Sequence, residues 1–228
     1  MSLFTISDLH LSLSSNKSMD IFPGWDGYVE KIKKRWTSVV SNDDTVVIVG
    51  DISWAMKIEE SFNDMKFIDS LPGKKILIKG NHDLWWSTKK KVQEYFDNNN
   101  LSTLKVLFND AIPVDDVCVC GTRGWFYDEQ DSTKKILNRE VGRLETSIRQ
   151  ALKTNLKPIV FLHYPPVYYG QECMEILDIL KRFSIKKCYY GHVHGPNASK
   201  KVITGPYCGI NFEFVSCDYT NFSPVLVK

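Results

Sequence analysis

The 228-residue chain has no apolar run approaching the roughly 18 residues that a membrane span requires. It has no internal repeat, low-complexity tract or Gly/Ser-rich linker, so a single domain over residues 1–228 is expected. It has little net charge: 29 basic and 27 acidic residues leave +2. A nucleic-acid-binding domain usually shows a marked basic excess, so nucleic acid is a disfavoured partner, although a small nucleotide substrate is not excluded. The six cysteines (118, 120, 173, 188, 208 and 217) contain no Cys-x-x-Cys pair, and several lie in apolar runs. They read as buried free thiols of a reducing compartment rather than a disulfide framework. The opening Met1-Ser2-Leu3-Phe4-Thr5-Ile6-Ser7-Asp8 is too short and too soon acidic for a signal peptide. A soluble cytoplasmic protein that does not contact membranes is the expectation; oligomeric state stays open.

What the chain does have is a core, with 43% apolar and 12% aromatic residues, and a regular alternation of elements. Leu3–Ile6, Thr45–Val49 and Ile76–Ile78 read as strands; the β-branched run at 45–49 suits burial on both faces. Between them, Val29, Ile32, Trp36, Val39 and Val40, then Ile58, Phe62, Met65 and Ile68, recur at helical spacing. Asp26 is placed to cap the first helix. Ser87 or Thr88 can cap a further one bearing Val92, Tyr95 and Phe96. Strand–helix alternation through residue 98 argues for parallel βαβ units in an α/β fold, whose sites form outside the carboxyl ends of the strands. The second half is richer in β: strands at 104–108, 117–120 and 159–162, helices at about 134–152 and 171–183, a strand at 188–190, and terminal strands expected to be antiparallel.

All five histidines, His10, His82, His163, His192 and His194, lie in short runs that end predicted strands, most beside an acid, an amide or a glycine. Residues i and i+2 of a strand point the same way, so Asp8/His10 and His192/His194 can each reach one spot. Asp51 follows Gly50 at the end of a buried strand, and Asn81 precedes His82 in Gly80-Asn81-His82-Asp83. Two divalent cations about 3.5–4 Å apart clamp an in-line displacement at phosphorus. They need a bridging carboxylate, for which Asp51 is the natural candidate. A mixed nitrogen and oxygen donor set suits Mn, Fe, Zn or Co better than calcium; manganese is favoured.

Asp8-x-His10, Gly50-Asp51, Gly80-Asn81-His82-Asp83, His163 and Gly191-His192-x-His194 resemble, in order and spacing, the five motifs of the calcineurin-like metallophosphoesterase superfamily. The resemblance implies two facing mixed β-sheets flanked by helices, a four-layer α/β/β/α sandwich. It implies one metal on Asp8, His10, Asp51 and His194, and a second on Asp51, Asn81, His163 and His192. It also implies a metal-bridging hydroxide as nucleophile and His82 as general acid or transition-state donor. Asp83 would orient His82, or would simply be a loop or helix-cap acid. Ser7-Asp8-Leu9-His10-Leu11 and Gly50-Asp51-Ile52-Ser53-Trp54 lack the Gly-Asp-x-His-Gly and Asp-Arg-Gly of protein serine/threonine phosphatases. The fused Gly-His-x-His resembles the phosphodiesterase and small bacterial phosphohydrolase branches.

Two features bear on substrate. Arg123, in the glycine-bordered Gly121-Thr122-Arg123-Gly124-Trp125, can fork onto phosphate oxygens or be a surface arginine in a turn. Trp54, Trp85 and Trp125 can wall a base or apolar leaving group, or pack beneath the loops. Tyr127-Asp128-Glu129-Gln130-Asp131 reads as a solvated loop. The expected activity is hydrolysis of a phosphomonoester or phosphodiester of a small molecule. A nuclease of the same fold and a non-catalytic scaffold are the alternatives. Loops 11–27 and 123–133 are the expected seats of specificity.

Overall fold

Thr45–Val49 shows how the layers arise. Val46 and Ile48 enter a core shared with helices, while Val47 and Val49 enter a second core lying between two sheets. Successive side chains of a strand alternate in direction, so one buried strand serves two apolar layers. The structure, a computed structural model, describes residues 1–15, 17–125 and 132–228. The acidic run Tyr127–Asp131 lies outside the described residues.

Among the described residues, one five-stranded sheet contains β1 (Leu3–Ile6), β2 (Thr45–Val49), β3 (Lys74–Ile78) and β4 (Leu104–Val106), all parallel. A six-stranded sheet is built around β6 (Val117–Thr122) and β7 (Lys157–Leu162), with β5 (Ala111–Val114) antiparallel at one edge. After the short hairpin of β8 (Val167–Tyr168) and β9 (Gln171–Glu172), the same sheet continues with β10 (Lys187–Tyr190), which runs parallel to β7. It ends with β11 (Gly205–Tyr207) and β12 (Ile210–Phe214), and β13 (Val225–Leu226) returns to the first sheet, antiparallel to β1.

Helices α1 (Tyr28–Val39), α2 (Phe62–Ser70) and α3 (Lys89–Asn98) cover the first sheet. Helices α4 (Ser132–Leu152) and α5 (Met174–Arg182) cover the second. The order of layers is therefore α/β/β/α. In α1, Tyr28, Ile32 and Trp36 are buried. Each large apolar side chain removed from water contributes about 1.5–3 kcal/mol, which holds a helix of this length that would be marginal alone.

Two local expectations change. Asp26 does not cap α1: Gly27 stands at the N-cap with φ 60°, and Asp26 pairs with Lys31 at 3.3 Å. Thr88 does cap α3, accepting from Lys91 N at 3.3 Å. In the tail, β13 is antiparallel, but β12 lies parallel to β10 and is antiparallel only to β11. Alternation along 210–214 reveals a buried face, not a direction. The connection from Gly191 to Gly209 is long enough for the crossover that a parallel pair demands. Pattern reading also leaves β5 unassigned; its Pro113 sits on an edge strand, where the missing N–H costs no ladder bond.

Cys118, Cys120, Cys173, Cys188 and Cys217 are buried free thiols, and Cys208 is exposed and free. No helix among the described residues is long and apolar enough to cross a membrane.

Candidate metal centre

The ends of β1, β2, β3, β7 and β10 meet at one rim of the sandwich. Asp8 N donates to Gly50 O at 3.0 Å, and Gly191 N to His163 O at 3.1 Å. Ser7 pairs with Ser216, stitching the two sheets together. The backbone turns sharply there. Asp8 (φ 63°), His10 (φ 45°), Asp51 (φ 50°) and His192 (φ 76°) all occupy the left-handed region. That region is costly for side chains other than glycine and concentrates where function demands a geometry. Gly50 (φ 87°) must also be glycine for space, because a Cβ there would lie 2.6 Å from His163 Nδ1. A Cβ on Gly191 would lie 2.3 Å from Asp8 Oδ2.

These turns deliver two donor groups: Asp8, His10 and His194; and Asp51, His163 and His192. Within each, the ligand atoms lie within 4.8 Å of one another. Asp51 Oδ2 lies between the groups, 3.8 Å from His10 Nε2 and 3.4 Å from His163 Nε2. Asn81 Oδ1 sits 2.7 Å from His163 Nε2 and 2.9 Å from His192 Nδ1. His194 Nε2 is 3.4 Å from Asp8 Oδ1 and 3.1 Å from His10 Nε2. The seven expected ligands thus converge, with Asp51 central.

The donor set fits metal cations. Asp8 Oδ1 is buried and has no hydrogen-bond partner, an arrangement costly for a carboxylate unless a cation takes its free lone pairs. Imidazole nitrogens and carboxylate and amide oxygens are the ligands of borderline divalent metals.

Protonation follows from the same crowding. Burial works against ionising His163 and His194. Asp51 and Asp8 outweigh it for His163, lifting it to about 9, and Asp8 and Asp218 do so for His194, lifting it to about 10. Burial wins at His10, which falls to about 4 against the pull of Asp51, and at His192, which falls to about 3 with His163 adding repulsion. Burial opposes ionisation of Asp8 and Asp51 too, but their imidazole neighbours hold both carboxyls below the usual range.

The remaining candidates separate. His82 is exposed, with its ring 5.7 Å from His10 and 4.5 Å from Trp54, and its backbone N–H donates to Asp51 Oδ1 at 2.8 Å. Asp83 makes no hydrogen bond to the neighbouring His82 ring. Its buried carboxylate accepts from Ile52 N (2.9 Å), Ser53 N (3.2 Å), Gly80 N (2.7 Å) and Trp85 Nε1 (3.0 Å). It clasps the loop carrying Asp51 to the loop carrying Asn81. Burial, together with Asp51, raises its pKa to about 6, against the three backbone donors Gly80, Ile52 and Ser53. Arg123 follows β6, 3.8 Å from the fully buried Glu140 and 4.9 Å over the Trp125 ring. Trp54 stacks on His10 at 4.8 Å. Trp85 is buried and packs beneath the loops, and Trp125 lies against Tyr164 at 5.3 Å.

Sequence reading missed several neighbours. Asp218 Oδ1 lies 3.2 Å from His194 Nδ1, and Asp218 Oδ2 accepts from Gly195 N at 2.8 Å. Ser216 Oγ donates to Asp8 Oδ2 at 2.8 Å. Trp25 presents its ring edge-on to His194 at 5.6 Å, and the Tyr164 ring lies 4.1 Å from that of His192. For Ser216 and Asp218 the only local signal is a polar residue soon after a strand end, in Val215-Ser216-Cys217-Asp218.

The family model described as calcineurin-like phosphoesterase matches residues 1–196. The Gene 66 protein of Mycobacterium phage L5 is 40% identical over 80 residues, which are 34% of this chain and 37% of that protein. A solved protein of unknown function from Aquifex aeolicus covers 99% of this chain over 95% of its own, at 18% identity and a TM-score of 0.53. A phosphopantetheinyl hydrolase from Mycobacterium tuberculosis has the same coverage, at 16% identity and a TM-score of 0.55. At these identities the two structures share the fold.

Proposed function

This chain belongs to the calcineurin-like phosphoesterase family, and from that premise we propose that it hydrolyses a small phosphomonoester or phosphodiester at a dinuclear metal centre. The observation that carries the reading is the Asp51 carboxylate, held between two separate donor groups. Asp8, His10, Asp51 and His194 would hold one cation. Asp51, Asn81, His163 and His192 would hold the other, with manganese the favoured metal. Such a pair supplies Lewis-acid polarisation of the phosphoryl group and an acidified water.

The chain's own groups supply the rest. Asn81 contributes a neutral oxygen, which limits negative charge where an anion must dock. His82 projects from a backbone fixed by Asp51 and stands beside Trp54 at the exposed side of the centre. From there its imidazole can give a proton to the leaving alkoxide. The near-neutral net charge favours a small substrate over a polymer. The buried free thiols accord with the reducing cytoplasm.

The test is turnover of p-nitrophenyl phosphate and bis-p-nitrophenyl phosphate by protein stripped and reloaded with manganese, beside Asp51→Asn. Hydrolysis that disappears in the variant supports the dimetal reading, and the preferred ester separates monoesterase from diesterase. Undiminished activity in Asp51→Asn, or failure to bind metal, overturns it.

A further inference from the structure

Next to the metal centre lies a cavity of about 210 Å³ that the reaction so far does not use. Lys79, Arg123, Arg139 and Arg143 line it, with Glu140 as the one carboxylate among its described lining residues. Glu140 is fully buried and already engaged. One oxygen accepts from Thr122 Oγ1 at 2.6 Å, and the other lies 2.5 Å from Arg143 and 3.8 Å from Arg123. Four cations facing one carboxylate leave an excess of positive charge in a recess.

Three of its lining residues also carry buried polar atoms without a partner. Trp86 lines it and is only 6% exposed, yet its indole N–H has no partner. Arg123 Nε is buried and unpartnered, and so is Asn109 Oδ1. Buried donors are normally satisfied. The guanidinium groups of Arg123, Arg139 and Arg143 in one recess are the forked N–H donors that an oxyanion accepts from. The cavity is smaller than the roughly 300–1,000 Å³ of a site enclosing a whole ligand, so it suits one small group at the end of a larger molecule.

Its position connects it to the chemistry. Lys79 stands two residues before Asn81, a rise of roughly 7 Å along extended chain. Thr122 pairs with Leu162, the residue before His163. Tyr164 N donates to Arg123 O at 2.8 Å, while the Tyr164 ring packs on His192. The recess therefore borders the segments that carry Asn81, His163 and His192.

We propose that this recess is a second anion site, which receives a phosphate carried by the leaving group, so that the substrate class is a phosphoester bearing a second phosphate. The assignment of substrate class rests on the phosphoesterase reading; the anion site does not.

The test uses the full chain loaded with diamagnetic zinc and labelled with 15N at tryptophan. Trp86→Phe assigns the Trp86 indole signal, and sulfate is titrated as the probe. The expected result is a saturable shift of that signal, weakened about tenfold in apparent affinity by Arg139→Gln and further by Arg143→Gln, with bound zinc unchanged. Arg139 is exposed, so its variant keeps the test alive if Arg143→Gln fails to fold. In the manganese-loaded protein, adenosine 3′,5′-bisphosphate should inhibit hydrolysis of the aryl ester more strongly than adenosine 5′-monophosphate. Arg139→Gln should remove that preference without changing turnover of the aryl ester. No shift of the Trp86 signal overturns the anion site. A shift without any preference for the bisphosphate overturns the substrate class. Because the shift needs no turnover, a protein that binds sulfate here but hydrolyses nothing overturns the proposed function and leaves the site standing.

Discussion

Asp218 Oδ1 lies 3.2 Å from Nδ1 of His194, the ring nitrogen opposite the Nε2 that faces Asp8. The same carboxylate accepts from Gly195 N. It thereby fixes the tilt of a ring that lies 24 residues away in sequence and would hold a proton on Nδ1 when Nε2 ligates a metal. Such outer partners typically contribute 10–100-fold to metal affinity. Asp218→Asn is therefore expected to weaken metal binding by about that factor with little change in melting temperature, measured by competition with a chromophoric chelator. Unchanged affinity would show that Gly195 alone orients the loop.

Gly191 carries a prediction about space. A Cβ there would meet Ser7 Oγ at 2.1 Å and Asp8 Oδ2 at 2.3 Å. Ser7 Oγ donates to Val49 O at 2.7 Å and is buried, so neither group has room to withdraw. Gly191→Ala should destabilise the fold by on the order of 2 kcal/mol and displace Asp8 from its donor group. Thermal melting and metal content of the purified variant check both effects.

Proton release should accompany metal loading. Without metal, His163 at about 9 and His194 at about 10 are protonated at pH 7, whereas a metal ligand must be a neutral imidazole. Both folded-state values exceed the unfolded value near 6.5. Their contribution to stability of the metal-free protein is thus complete below about pH 6.5 and fades as pH rises through 9–10. Metal affinity moves the opposite way. It should rise with pH between about 7 and 9, with close to two protons released per loaded centre. Calorimetry in buffers of different ionisation enthalpy measures that number, and a value near zero would refute the charged pairs.

Asp83 should prove a structural clasp. Its carboxylate receives four N–H groups from two loops, and a buried donor left unsatisfied costs about 1–3 kcal/mol. Asp83→Ala should lower stability by several kcal/mol, since more than one donor is stranded, and should lose metal with it. His82→Ala, at an exposed ring, should keep stability and metal and lose turnover by about 10²–10⁴-fold. The contrast between the two variants, in melting temperature and in kcat, is the measurement.

Much of the centre was legible in the order of residues, and the reason is local. Strands betray themselves by short β-branched runs, and in a parallel α/β arrangement their carboxyl ends are where a site must form. Acids, amides and histidines within a few residues after Ile6, Val49, Ile78, Leu162 and Tyr190 could therefore be recognised as candidate ligands before any contact was known. The glycines beside Asp51, Asn81 and His192 reported the tight backbone that this crowding needs.

Only the tertiary structure decided what depends on distant parts meeting. Asp83 bonds to amides some 30 residues away instead of to its neighbour His82, and Ser216 reaches Asp8 across 208 positions. The parallel entry of β12, the placing of Asp218 behind His194, and the convergence of Lys79, Arg123, Arg139 and Arg143 from two strand ends and a helix leave no periodic trace. Periodicity encodes which face of an element is buried. It does not encode which other element that face will meet, because that is settled by packing the layers as a whole.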